Sequence, residues 1–196
     1  EFVVHAFTDI VAKHGAGALG ALVSPHATLE EAALAARLVR GLGSDNVDFR
    51  LRQADFSGDG KAAGVPWLGM PVAALNQLER VLVVGSFLRK DHPLVAQRLR
   101  QAAKKGTQVS MLHSVADDWL MNVAHKAIVP PSQMAAALAG IAVAALGAAG
   151  KAVPEALANV IPDDAQKAIA ASLASGTRTA VLLGNYAVQH PAAAQL

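Results

Sequence analysis

The chain contains no cysteine, which excludes disulfides and thiolate metal sites and is compatible with a reducing compartment. Aromatic residues are scarce, at 4%. No basic run carries aromatics within it, so the usual footprint of a nucleic-acid surface is missing and no nucleic-acid partner is expected. An excess of one charge is missing too, because the formal net charge is only +2 and selects neither anionic nor cationic partners. The one Lys/Arg cluster, Arg98 to Lys105, falls on a single helix whose solvated outer face accounts for it. The G-x-S-x-G and P-loop patterns are absent. The chain opens at Glu1 with neither a methionine nor a basic-then-apolar leader, the start expected of a cut piece or a processed product.

What is present is an alanine- and glycine-rich apolar content of 53% over 196 residues. That length suits one domain or a tight pair, able to bury roughly 70% of its unfolded surface. The stretch from Ile128 to Gly150 carries no charged residue and has the length of a membrane span. Its first turns hold Pro130, Pro131, Ser132 and Gln133, and the remainder relies on Ala and Gly, so a helix of a soluble domain is expected, with no direct membrane insertion.

The clearest unit runs from Val81 to Leu112. Val81 to Val84 is apolar without alternation, the mark of a strand buried on both faces. Gly85-Ser86 ends it, Pro93 suits a first helical position, and Lys104-Lys105-Gly106 supplies terminal cations and a left-handed stop. A strand at Val109 to Leu112 follows. Ala180 to Pro191 repeats the plan, with an apolar strand, a Gly, a small polar residue and a later His-Pro pair.

Elsewhere, Phe2 to Lys13 reads as a helix and Ala18 to Val23 as a first strand. Thr28 and Glu31 form a capping box for a helix that Gly41 and Gly43 stop. Leu29, Ala32, Ala33 and Ala36, with Leu34 and Leu38 adjacent, predict one broad buried face. Val47 to Phe49 suits a short strand. Arg50 to Met70 reads as a long surface excursion, Val72 to Arg80 as a short helix, and Lys126 to Val129 as a brief strand. Helices are expected over Pro131 to Leu146 and Pro162 to Ser175, then a strand over Thr179 to Leu183. The alternation predicts an α/β fold, a parallel sheet of five or six strands covered by helices on both faces, with Val81 to Val84 central. Loops after the strands then share the carboxyl edge, where such folds bind ligands.

Two motifs fail on context. Gly15 to Gly20 spells G-x-G-x-x-G but precedes a strand instead of following one, so it reads as a turn. Asp55 to Gly60 resembles the start of a calcium loop, yet Pro66 stands at the twelfth position, where a glutamate is required. His26, His92, His113 and His190 fall near strand ends, but no pair has helical ligand spacing and no metal is expected.

Across Val23 to Phe56 and Leu78 to Leu112, through Glu30-Glu31, Asn46-Val47-Asp48 and Gly85-Ser86 to His92-Pro93, the chain resembles the molybdopterin-oxidoreductase superfamily. With the closing Leu182 to Pro191 it resembles, more narrowly, the large iron-sulfur subunits of bacterial NADH-quinone oxidoreductase, respiratory complex I. The resemblance implies one Rossmann-like α/β domain over residues 1–196, built as in formate dehydrogenase and DMSO reductase-type proteins and part of a longer subunit. It implies iron-sulfur clusters upstream of this segment, and a place in the peripheral arm on the cytoplasmic face of the inner membrane. The implied partners are the rest of the subunit and its peripheral-arm neighbours. Enzymes of the family that hold a molybdopterin dinucleotide commonly carry Asn after Gly-Ser and an Asp-Pro-Arg-like turn after the next strand. Here Phe87 and His113-Ser114-Val115 stand in those places, which implies a scaffold with no catalytic residue and no cofactor. The alternative is a nucleotide- or molybdopterin-dinucleotide-binding domain of a formate dehydrogenase-like oxidoreductase, using Ser24, Ser86, Arg89, His113 and Asn185. An open polar edge would mark the second reading, and an edge closed by Phe87 and Tyr186 the first.

Overall fold

The computed structural model describes residues 1–53, 55–61 and 67–196. They form two compact units, Glu1–Arg52 and Gln53–Leu196.

In the first unit, α1 (Phe2–His14) ends at Gly15 with φ +81°, and a short 3-10 turn at Ala16–Ala18 leads to β1 (Ala21–Leu22). The glycines of the apparent dinucleotide fingerprint therefore close a helix and enter a strand, as their context predicts. Helix α2 (Leu29–Gly41) starts at a full capping box: the Thr28 hydroxyl accepts the Glu31 N–H, and the Glu31 carboxylate accepts the Thr28 N–H. It returns to β2 (Val47–Asp48), which runs parallel to β1. Ser44 and Asn46 brace this crossover by donating to the carbonyls of Leu19 (2.8 Å) and Gly17 (2.9 Å). The broad buried face expected of α2 is not realised. Only Val39 is buried, while Leu29, Leu34 and Leu38 are 83%, 62% and 55% exposed. A two-stranded sheet is narrower than the helix's apolar stripe and covers only part of it.

The second unit begins with the expected excursion, of which Ala54 and residues 62–66, Pro66 included, lie outside the described residues. Asp55 Oδ1 accepts the Ser57 N–H at 3.0 Å, as in a polar turn. A 3-10 helix (Val72–Gln77) replaces the short helix expected over Val72 to Arg80. There follow β3 (Arg80–Val84), α3 (Leu88–Asp91), α4 (Pro93–Ala103), β4 (Gln108–His113) and β5 (His125–Ile128). The chain ends with α5 (Met134–Ala148), α6 (Asp164–Ala174), β6 (Thr179–Leu183) and α7 (Asn185–Val188). Pro93 opens α4. Gly106, at φ +105°, follows its end, where an L side chain would be strained.

The sheet is parallel and ordered β5-β4-β3-β6. Among the described residues it has four strands instead of five or six, with β1 and β2 paired to each other in a separate sheet. As expected, β3 is internal and buried on both faces. Val81 and Val83 meet Leu99 and Met111 on one side. Leu82 and Val84 meet Met134, Ile141 and Ile169 on the other. Each face is covered by helices, α4 on the first and α5 and α6 on the second, which makes the fold α/β with parallel sheets flanked by helices. Among the described residues, Pro131–Ala148 is long and apolar enough by composition to cross a membrane. Its Met134, Ala137, Gly140 and Ile141 are buried in this core. A Cβ at position 140 would collide with Gln166 Oε1, so any other residue there would displace that side chain. That oxygen accepts the Asp163 N–H in a second capping box, the one that starts α6.

Candidate functional site

The carboxyl ends of β4, β3 and β6 form one crest. Ser86, His113 and Asn185 stand on it, with Arg89 just behind on α3, so four of the five candidate residues come together. Ser24 belongs to the first unit, where its Oγ accepts the His26 N–H at 3.2 Å.

The strand ends are locked by their own backbone. Gly85, at φ +57°, donates its N–H to Leu112 O (2.9 Å), and its carbonyl accepts the amides of Tyr186 (3.0 Å) and Ala187 (3.2 Å). Gly184 donates to Val84 O at 2.8 Å. A Cβ at Gly85 would lie 2.6 Å from the Ala187 nitrogen, and one at Gly184 would collide with the Ser86 Cβ. Phe87 contributes its N–H to Asp91 Oδ2 at 3.3 Å. Val115 donates its N–H to His113 Nδ1 at 3.0 Å.

Three rings fill the space above. Phe87 meets His113 edge-on at 4.6 Å between centroids, Tyr186 lies 5.4 Å from His113, and Phe87 and Tyr186 are 6.4 Å apart. Ser114 Oγ reaches Tyr186 Oη at 3.5 Å. Ser86 and His113 are almost wholly buried, 2% and 1% exposed. Among the described residues, Ser86 Oγ and His113 Nε2 find no hydrogen-bond partner. Arg89 and Asn185 are exposed.

This geometry limits the chemistry. A general base must accept the proton of its nucleophile. His113 already accepts at Nδ1, which leaves its ring proton on Nε2, and no hydrogen bond joins it to Ser86. Burial pushes the His113 pKa below its ordinary value, and the charges of Asp117 and Asp91 oppose that shift only in part. The ring is therefore neutral at neutral pH and is a donor at Nε2, so Ser86 has no activating partner.

Other histidines near strand ends do not join the crest rings in hydrogen bonds. His190 accepts the Ala192 N–H at Nδ1 (3.0 Å), and its Nε2 lies 2.9 Å from Pro131 O, tying the chain's end to the turn before α5. Among the described residues no group of three His, Cys, Asp or Glu could hold a metal. The opposite, amino edge of the sheet is polar. Glu79 accepts from the Thr177 amide (2.8 Å) and from Arg178 Nη2 (2.9 Å), and its pKa is lowered first by the amides of Thr177 and Arg178. Sequence reasoning missed this cluster, which pairs residues nearly a hundred positions apart. It also missed the capping box at Asp163, although Asp163 and Gln166 have the required three-residue spacing.

No curated protein matches the chain. An α/β fold with parallel sheets flanked by helices is consistent with what the family comparison finds: the model for molybdopterin oxidoreductases matches residues 1–195, and the chain belongs to the molybdopterin oxidoreductase family.

Proposed function

We propose that this chain is a non-catalytic scaffold domain of the peripheral arm of NADH-quinone oxidoreductase, whose parent complex passes electrons from NADH to quinone. It carries no cofactor of its own. The iron-sulfur clusters of its subunit lie upstream, and it packs against the rest of that subunit and its peripheral-arm neighbours at the cytoplasmic face of the inner membrane. One observation supports this reading above the others. At three adjacent strand ends four backbone amides are consumed within the chain: Phe87 N–H by Asp91, Val115 N–H by His113, and Tyr186 and Ala187 N–H by Gly85. Dinucleotide sites depend on free amides and on glycines that let backbone approach the pyrophosphate. Here the spaces at Gly85 and Gly184 are taken by Ala187 and Ser86, and Asp91 sets a carboxylate at the start of α3. Residues arranged in this way do not fit a molybdopterin dinucleotide.

The test is ligand-dependent melting. A ligand at 100 times its dissociation constant would stabilise the fold by about 2.7 kcal/mol. The expected result is no shift with NADH, molybdopterin guanine dinucleotide or common nucleotides, and no NADH oxidation with an artificial acceptor. The alternative, a cofactor-binding domain of a formate dehydrogenase-like oxidoreductase, draws on the unpartnered Ser86 Oγ and His113 Nε2. A melting shift abolished by substituting Ser86 or Arg89 would establish it. Flotation with liposomes at physiological salt tests the membrane part of the proposal, since a domain that uses α5 as core remains at the bottom of the gradient.

A further inference from the structure

His113 and His190 share a device: each ring accepts, at Nδ1, the amide two residues ahead. They differ at the second nitrogen. His190 Nε2 has the Pro131 carbonyl, whereas His113 Nε2 is buried and unpartnered. In both, the amide donor fixes the ring proton on Nε2. A second proton can enter His113 only at Nδ1, where it would point at the Val115 N–H. Two donors cannot share that contact, so protonation requires the Ser114–Val115 peptide to move.

Apart from the packing of Trp119, the loop that would move is held to the sheet by few hydrogen bonds. Among the described residues its other hydrogen bonds are internal, Asp117 N–H to Val115 O (2.9 Å) and Leu120 N–H to Asp118 Oδ1 (2.8 Å), besides the 3.5 Å contact of Ser114 with Tyr186. Leu120 is the one non-glycine at positive φ among the described residues, +52°, a strained conformation that loop release would relax. Trp119 of the same loop is buried against the core face of Val81 and Met111, and its Nε1 is unpartnered.

We propose that His113 is a proton-operated latch: uptake of a solvent proton at Nδ1 displaces the Val115 amide and releases the loop from Ser114 to Leu120, Trp119 included, while the sheet stays folded. The groups facing the ring set the direction. From α3 come the Asp91 carboxylate and the Lys90 ammonium, 6.0 Å from the Phe87 ring centroid, from α7 the Tyr186 hydroxyl, and from the loop Asp117. The two carboxylates favour the charged ring, but burial opposes it more strongly and holds the pKa of the closed state down. In the open loop the ring regains its ordinary affinity. Closure is therefore complete above about pH 6.5 and is lost as pH falls through the lowered value of the closed state.

Trp119 reports the event once Trp67→Phe removes the only other tryptophan. The expected result is a several-fold rise in acrylamide quenching of Trp119 on acidification below the ordinary histidine range, with unchanged far-UV circular dichroism. His113→Asn keeps an acceptor for Val115 but cannot titrate, and should hold quenching flat. An equal rise in that variant, no rise in the parent, or a rise that coincides with loss of secondary structure would overturn the proposal. Should the Asn variant fail to fold, ring-nitrogen NMR of the unsubstituted chain decides. The latch requires an unprotonated Nδ1 at neutral pH and a His113 titration that coincides with the quenching transition, and either a protonated Nδ1 or separate midpoints would sink it.

Discussion

Helices α2 and α6 begin in the same way and end up in different surroundings. Each starts at a complete capping box, Thr28 with Glu31 and Asp163 with Gln166. Yet α2 buries only Val39, while α6 buries Gln166, Ile169, Ala170 and Ser172. The sheet beneath explains the contrast, since α2 packs on two strands and α6 on a face of four. In the first unit a cavity of about 160 Å³ lined by Phe7, Leu19, Ala35 and Leu42 remains open. Local chemistry thus decides where a helix starts, and the width of the sheet decides how much of it is removed from water.

Substitutions can break or sharpen this contrast. The largest effect is expected at the crest, where Gly184→Val places atoms in the space of Ser86. It should destabilise the second unit by about 4 kcal/mol or more, because backbone has to move. Next comes Leu99→Ala in the second unit, fully buried, at about 3 kcal/mol. Its counterpart Leu34→Ala in the first unit should stay within about 0.5 kcal/mol. Denaturant midpoints check all three, and equal losses for Leu99 and Leu34 would erase the distinction between the units.

Removing the caps should equalise the two helices. Thr28→Ala and Asp163→Ala are each expected to cost about 1 kcal/mol, since each strands one amide at a helix start. Amide hydrogen exchange separates the consequences: fraying confined to the first turn of α2, against loosening that spreads from α6 into its contact with Gly140. The smallest effect is on acidification. Asp48 is held down to about 2, first by the side chain of Arg50 and then by the amides of Arg50 and Phe49. Its contribution is complete above about pH 3.8 and is lost as pH falls through 2. A carboxyl titration followed by NMR should find the Asp48 turn still formed at about pH 3.

Much of this was legible because it is local. The apolar run of Val81 to Val84, Pro93 at the head of α4 and the Thr28 box each depend on residues a turn or less apart, and each was read correctly. The limits of that reading are equally physical. Pairing of β3 with β6 joins residues about a hundred positions apart, and nothing near Val81 records whether β1 will join the same sheet. The pattern of Leu29, Leu34 and Leu38 states a preference for burial without stating whether a surface exists to satisfy it. At the crest, the departures at Phe87 and His113 were visible as letters. That the two rings meet, with the Phe87 amide taken by Asp91 and the Val115 amide by His113, became visible only when three strand ends were brought together.

The mutual approach of Gly85 and Gly184 has a bearing on how such a domain can change over generations. Side chains above the crest are exchangeable one codon at a time, and a lineage could trade Phe87 or Tyr186 for smaller groups without touching the main chain. The Tyr186 and Ala187 amides would still be spent on Gly85, and the first turn of α7 would still sit in the gap. Opening the edge needs the strand end, the helix start and the rings to shift together, and every intermediate loses stability for an opening it cannot yet use. Such a junction stays fixed while the outer surface is free to diverge.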